Sequence, residues 1–225
     1  MKKVFGIWIF FAFIVVLGVN TGVTAPQQVQ MNITMFQDVS SNGTSYGISF
    51  DLSNDALKNV SRILINGPRG GRITLTNPLN LNDLVLSTDN LSLNDLNRWF
   101  PEGDYQILLT PGIFGKLKVH MTHNFPSTPA ILSPLDGSVN VPTNPVITWA
   151  PITGITGLQL RLTDNAGFVL NMNLPVNATS YSVPTNLLKP NTAYELTLVA
   201  QVTDLINGNN GLNTTMTISF TTVTQ

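Results

Sequence analysis

The sequence predicts an all-β protein: two tandem antiparallel β-sandwich domains behind an N-terminal signal peptide. Three observations carry that expectation. Apolar residues recur at every second position in row after row, the period that puts one face of a strand in a core and the other in water. Pro126 and Pro129 interrupt these rows near the middle of the chain. A short basic-then-apolar leader stands ahead of them.

The leader comes first. Met1-Lys2-Lys3 sets two positive charges before an apolar run from Val4 to Val19, and Val23-Thr24-Ala25 supplies small or apolar residues for a cleavage site. The run is shorter than the roughly 20 residues that cross a bilayer comfortably. Residues 1–25 therefore read as a cleaved signal, with an uncleaved anchor as the alternative. Pro26 disfavours a cut directly after Ala25 and moves the expected site by a few residues. The expected location is extracellular or periplasmic, with membrane attachment only if the segment is retained.

Composition narrows the chemistry. There is no cysteine, which removes disulfide staples, zinc–thiolate sites and a lipidated N-terminal thiol, so stability must come from packing. Without Lys2 and Lys3 the net charge is −3, with the charges scattered. That is no footprint for nucleic acid or for an anionic membrane. Six N-x-[ST] sequons, at Asn32, Asn42, Asn59, Asn90, Asn177 and Asn213, occur in a chain so rich in Asn, Ser and Thr that chance supplies several. They mark polar surface in either case.

The N-terminal domain is expected over residues 26–124. Val29, Met31, Ile33 and Met35 form one row, Tyr46, Ile48, Phe50 and Leu52 another, and Leu117, Val119 and Met121 close the domain. Ile63 and Ile65, then Gly67-Pro68-Arg69-Gly70-Gly71, then Ile73 and Leu75, read as two strands across a glycine-rich hairpin. Ser92 can cap a short helix with Asp95 in its first turn, Leu93, Leu96 and Phe100 sharing a face and Pro101 stopping it. Pro101-x-Gly103-x-Tyr105 then enters a strand through Ile107 and Leu109.

The C-terminal domain is expected over residues 125–225. Phe125-Pro126-Ser127-Thr128-Pro129 reads as a stiff extended linker into it. Leu158, Leu160 and Leu162 alternate with Gln159, Arg161 and Thr163. Phe168, Leu170, Met172 and Leu174 form another apolar row, with Asn171 and Asn173 on the opposite side. Tyr194 to Val202 and Met216 to Phe220 give two further rows, and short strands near Ile131, Ile147 and Tyr181 bring the count to about seven, the sandwich pattern.

Val146-Ile147-Thr148-Trp149-Ala150-Pro151 resembles the B strand of a fibronectin type III module. Leu188-Lys189-Pro190-Asn191-Thr192-Ala193-Tyr194 matches that family's Leu-x-Pro-x-Thr-x-Tyr signature, and Ile218-Ser219-Phe220-Thr221-Thr222 is similar to its G strand. The resemblance covers residues 127–225. It implies that Trp149 fills the core and that the Tyr194 phenol bonds upstream backbone as a tyrosine corner. The Pro101 to Tyr105 stretch echoes that grammar, so a second corner-like arch is expected there. The N-terminal half is otherwise only generically Ig-like, with no clear counterpart to the core tryptophan. Some members of the family bind receptors through an Arg-Gly-Asp loop between strands F and G. Here that stretch, Asp204 to Gly211, lacks the motif, and its Gly and Asn residues suit a long hairpin turn.

Candidate chemistry is sparse. Glu102 and Glu195 are the only glutamates and read as solvated surface. His120 and His123, the only histidines, are three apart, which on a strand sends them to opposite faces, and no orienting carboxylate is obvious from the sequence. No catalytic, cofactor or metal residues are expected. Asp136-Gly137 and Asp164-Asn165 read as hairpin turns. The candidate ligand contacts are five. Arg69 and Arg72 flank Gly70-Gly71 as an anion-binding loop or as two solvated arginines on a hairpin. Trp99 is either a sugar-stacking aromatic or a plug beneath the following arch. Leu205 and Ile206 are either an exposed contact patch or an extension of the strand core. The expected function is a non-enzymatic binding, adhesion or spacer protein with a protein or glycan partner of the cell envelope; the alternative is a carbohydrate-binding accessory of a secreted enzyme system.

Overall fold

A computed structural model describes residues 29–111, 116–203 and 210–224, with the backbone alone at 30, 116, 117, 168 and 210. The expected signal segment and the Leu205-Ile206 pair lie outside the described residues. Within them the alternating rows become fifteen strands, joined by one short helix and two 3-10 turns.

The first module contains β1 (Gln30–Ser40), β2 (Gly43–Ser53), β3 (Arg62–Asn66), β4 (Arg72–Thr76), β5 (Asp83–Leu91), α1 (Leu93–Trp99), β6 (Gly103–Thr110) and β7 (Lys116–Met121). β1, β2 and β5 pair on one side, and β4, β3, β6 and β7, in that order, form the other sheet. Met35, Ile48, Phe50 and Leu52 from the first side meet Ile63, Ile65, Tyr105, Ile107 and Met121 from the second in one core. The second module contains β8 (Ile131–Ser133), β9 (Ser138–Val141), β10 (Val146–Trp149), β11 (Gly157–Asp164), β12 (Gly167–Leu174), β13 (Ser180–Ser182), β14 (Ala193–Thr203) and β15 (Asn210–Thr222). Here β13, β10 and β8 face β12, β11, β14 and β15 across a core that holds Trp149, Leu160, Leu196, Leu198 and Phe220.

Setting aside the short β9, the two modules have the same strand order. The fifth, second and first strands of each make one side, and the fourth, third, sixth and seventh make the other. The strand that matches Trp149's in this order is β2, whose largest fully buried side chain is Phe50. Phe50 is fully buried and packs 6.1 Å from the Phe100 ring.

The modules are not beads on a string. β15 is long enough to serve both: it pairs antiparallel with β14 throughout, and along its other edge it pairs parallel with β1, from Ile33 opposite Asn210 to Val39 opposite Met216. Farther along, the same edge meets β9 at Phe220 and Thr222. The result is one eight-stranded sheet running through both modules. Register puts Leu212 beside Met35, and Leu212 with Val202 of β14 packs into the first module's core.

The segment 125–129 runs along this seam. The Phe125 ring lies 5.6 Å from that of Tyr46, its N–H donates to the His123 carbonyl at 2.9 Å, and the Pro126 carbonyl accepts from the buried Thr214 hydroxyl at 2.7 Å. Asp164 does cap a hairpin turn, its carboxylate accepting from the Ala166 and Gly167 N–H groups. Asp136-Gly137 does not form a hairpin. β8 and β9 belong to different sheets, and Asp136 instead accepts from the Ser219 N–H at 2.8 Å, fastening the crossing to β15.

Candidate functional site

Two arches position the loops of the two modules, and each is locked by one phenol. In the second module the Tyr194 hydroxyl accepts from the Lys189 N–H at 2.8 Å, five residues upstream, while its ring stacks on Phe220 at 5.7 Å. In the first, the Tyr105 hydroxyl donates to the Pro101 carbonyl at 2.9 Å inside the protein. Burial pushes the Tyr105 phenol well above its ordinary pKa, because the phenolate would lose its hydration. Both corners expected from Pro-x-small-x-Tyr and Leu-x-Pro-x-Thr-x-Tyr are thus present. Trp149 is buried, with its indole N–H donating to the Ala178 carbonyl at 2.8 Å.

The helix ahead of the first arch forms where the cap predicts. The Ser92 hydroxyl accepts from the Asp95 N–H at 3.1 Å and donates to the Asp95 carboxylate at 2.7 Å, holding the first turn. Its facing differs from expectation. Leu96 and Phe100 are buried, but Leu93 is 44% exposed and Trp99 is 55% exposed. Seven residues make about two turns, so only one or two side chains can point inward. Leu96 and Phe100 fill that space, and Trp99 is an exposed aromatic rather than the plug.

The other candidates scatter. Arg69 sits at the hairpin tip with a left-handed backbone, φ 59°, next to Gly70 at φ 79°. Arg72 is spent at the base of the hairpin, its Nε donating to Asn66 Oδ1 at 3.2 Å. Both are exposed. Glu195 is exposed on β14, and Glu102 accepts the His123 N–H at 2.6 Å.

His120 lies on β7 while His123 lies past its end, so strand alternation does not govern the pair, and His120 does have a carboxylate beside it. His120 Nδ1 lies 2.7 Å from Asp104 Oδ1, because β6 and β7 put these residues directly opposite each other. Cross-strand register is invisible in sequence spacing. The pair is exposed. His123 bonds back to the helix region: Nε2 donates to the Phe100 carbonyl at 2.9 Å, and Nδ1 lies 2.7 Å from Asn97 Oδ1. It staples the end of α1 to the irregular segment that leaves the module after β7. Among the described residues no three His, Asp or Glu side chains gather closely enough to hold a metal ion, and no helix is long and apolar enough to cross a membrane.

One polar cluster was not foreseen. At the seam, Asp38 of β1 accepts from the Thr215 hydroxyl of β15 and lies in the field of Arg161 on β11, whose Nε donates to Gln159 Oε1 at 2.7 Å. Gln159 and Thr215 are buried. Burial raises the Asp38 pKa despite the Thr215 bond and the Arg161 charge, and burial also lowers that of Arg161. No local pattern joins residues 38, 161 and 215; the parallel β1–β15 pairing sets Asp38 beside Thr215, and the antiparallel β11–β14–β15 pairings bring in Arg161.

These features define a protein of two β-sandwich modules sharing a sheet, the later one fibronectin type III-like in its core tryptophan and tyrosine corner. No protein-family model and no curated protein matches the chain. Among solved structures it is similar to a two fibronectin type-III domain segment from chicken tenascin, at 10% identity and a TM-score of 0.27, covering 84% of this chain and 97% of that one. The FN1–FN3 domains of chicken CNTN1 match at 13% identity and a TM-score of 0.31, covering 84% of this chain and 64% of that one. The BSP domain of a biofilm associated protein matches at 15% identity and a TM-score of 0.26, covering 88% of this chain and 29% of that one.

Proposed function

We propose that the chain is a non-enzymatic, exported binding or spacer protein, whose two sandwiches act as one stiff body that holds loops and sheet edges out to a protein or glycan partner of the cell envelope. The observation that carries this reading is the parallel β1–β15 ladder, which ties Ile33–Val39 to residues 210–216 and replaces a hinge with continuous backbone hydrogen bonding. Modules joined only by a linker reorient freely; these two share a strand and core residues. A surface of scattered candidates, with no three His, Asp or Glu side chains gathered among the described residues, suits presentation better than chemistry.

Backbone nitrogen relaxation tests the stiff-body reading: both modules should give one overall correlation time and one diffusion tensor. Two separately tumbling modules would defeat it. Partner capture from the native envelope fraction, repeated with Arg69→Ala and Arg72→Ala, tests the presentation reading. A protein that retains nothing, or whose captured partner ignores the loop changes, removes those arginines from the site.

A second reading has one observation in its favour. Trp99 is more than half exposed at the end of α1, as a sugar-stacking aromatic would be. A glycan array run with the chain and with Trp99→Ala decides it, since binding that survives the substitution, or no binding at all, eliminates the carbohydrate reading.

A further inference from the structure

An unpaired sheet edge is a template for another strand, and proteins blunt such edges with charge, brevity, proline or bulges. Most edges here are blunted. β8 and β13 are three residues long, and β9 is four. β4 carries Arg72, and β7 carries Lys118 and His120. β5, one end of the eight-stranded sheet, carries Asp83 and Asp89 and a register shift against β2.

The other end of that sheet is β12, and among the described edge strands it is the exception. Its eight residues include no charge and no proline, it pairs with β11 alone, and its one register shift lies ahead of Leu170, leaving Leu170–Leu174 regularly paired. The charges on β11 are engaged elsewhere: Arg161 bonds Gln159, and Asp164 is held by the turn amides. Leu170, Met172 and Leu174 stand half-buried at the rim of the second core, while Asn171 and Asn173 are exposed on the opposite face.

The order of these residues selects the occupant. Leu170-Asn171-Met172-Asn173-Leu174 reads identically in both directions. Antiparallel pairing about a two-fold axis through Met172 therefore sets Leu170 opposite the second copy's Leu174, Asn171 opposite its Asn173, and Met172 opposite itself. Every apolar side chain meets an apolar one on the core face, every amide meets an amide on the other, and no like charges oppose. A foreign strand can use the backbone ladder, but a second copy also matches both faces.

We propose that β12 is a homodimerisation edge, joining two copies antiparallel through Leu170–Leu174 and doubling the shared sheet. The proposal stands apart from the partner reading above, because its test reads self-association alone.

Sedimentation velocity of the purified chain from about 1 to several hundred micromolar should show a concentration-dependent monomer–dimer equilibrium. The double substitution Asn171→Lys, Asn173→Lys places lysines opposite one another across the axis and should weaken association at least tenfold; Asn173→Ala, which also removes the acceptor for Gln159 Nε2 but adds no charge, controls for any loss of monomer stability and should leave the dimer in place. Because the chain has no cysteine, Met172→Cys adds a single thiol that faces its own copy within disulfide reach. Mild oxidation should give a covalent dimer, whereas Val85→Cys, exposed on β5 at the far end of the sheet, should not. A monomer at every concentration, a dimer indifferent to the lysines, or cross-linking through Val85→Cys as efficient as through Met172→Cys would each overturn the proposal.

Discussion

Leu212→Ala separates a shared core from a mere contact. Leu212 lies on the last strand of the second module, yet it is 6% exposed and packs among the first module's residues beside Met35. Truncating a buried leucine removes the transfer free energy of its side chain and leaves a cavity, together costing about 2–5 kcal/mol. Backbone pairing on both sides of β15 limits collapse of that cavity, so about 3 kcal/mol is expected. With a urea m-value of roughly 3 kcal/mol/M, the midpoint should fall by about 1 M. The assay is equilibrium unfolding followed in a Trp8→Phe, Trp99→Phe background by Trp149 fluorescence, which reports the second core, and by the Met35 methyl resonance, which reports the first. Because β15 belongs to both modules, the two probes should give one coincident transition, and Leu212→Ala should move both together. Leu132→Ala, at a residue 57% exposed, should stay within about 0.5 kcal/mol. Separate transitions, or a Leu212→Ala loss as small as that of Leu132→Ala, would refute the claim that the first module depends on the second's strand.

Three other expectations follow from the same geometry. Tyr105→Phe strands the buried Pro101 carbonyl and Tyr194→Phe strands the Lys189 N–H, so each should cost about 1–3 kcal/mol in thermal or chemical unfolding. A Cβ on Gly47 would fall 2.2 Å from the Phe36 ring and 2.3 Å from the Thr88 carbonyl oxygen. The backbone oxygen cannot swing aside, and Gly47→Ala should destabilise by about 1–3 kcal/mol or more, read as a lowered unfolding midpoint. Asp38 has its pKa raised by burial above 3.8, so in the window from that value up to its folded pKa the folded state binds more protons than the unfolded one. Its contribution to stability therefore falls as pH rises through that window and is constant above it. Asp38→Asn should remove this slope, and an unchanged pH profile of unfolding would count against the buried setting of the carboxylate.

Local features were legible because their causes are local. Alternation at Leu158–Leu162 and Tyr46–Leu52 located strands, Ser92 and Pro101 bounded a helix, and Pro190 with Tyr194 marked an arch, since each signal spans only a few residues. The facing of α1 was less so, as two turns hold too few residues to average out an error at Leu93 and Trp99. Register was not legible at all. The Asp104–His120 pair, the Asp38–Thr215–Arg161 cluster and the β1–β15 ladder depend on which strand lies beside which. The last strand shows the limit most clearly. Its apolar row starts at Met216, but pairing begins at Asn210, because residues at the seam face Gln37 and Pro126 rather than a purely apolar core.

The direction of the β1–β15 pairing sets how the protein bears load. β1 leads the described chain and β15 closes it, and the two run parallel. Tension applied through the residues before β1 and after β15 pulls these neighbours lengthwise in opposite senses. The rungs between Ile33–Val39 and residues 210–216 then strain together instead of peeling one by one. A pull that would unzip a hairpin is here met in shear, by many hydrogen bonds at once.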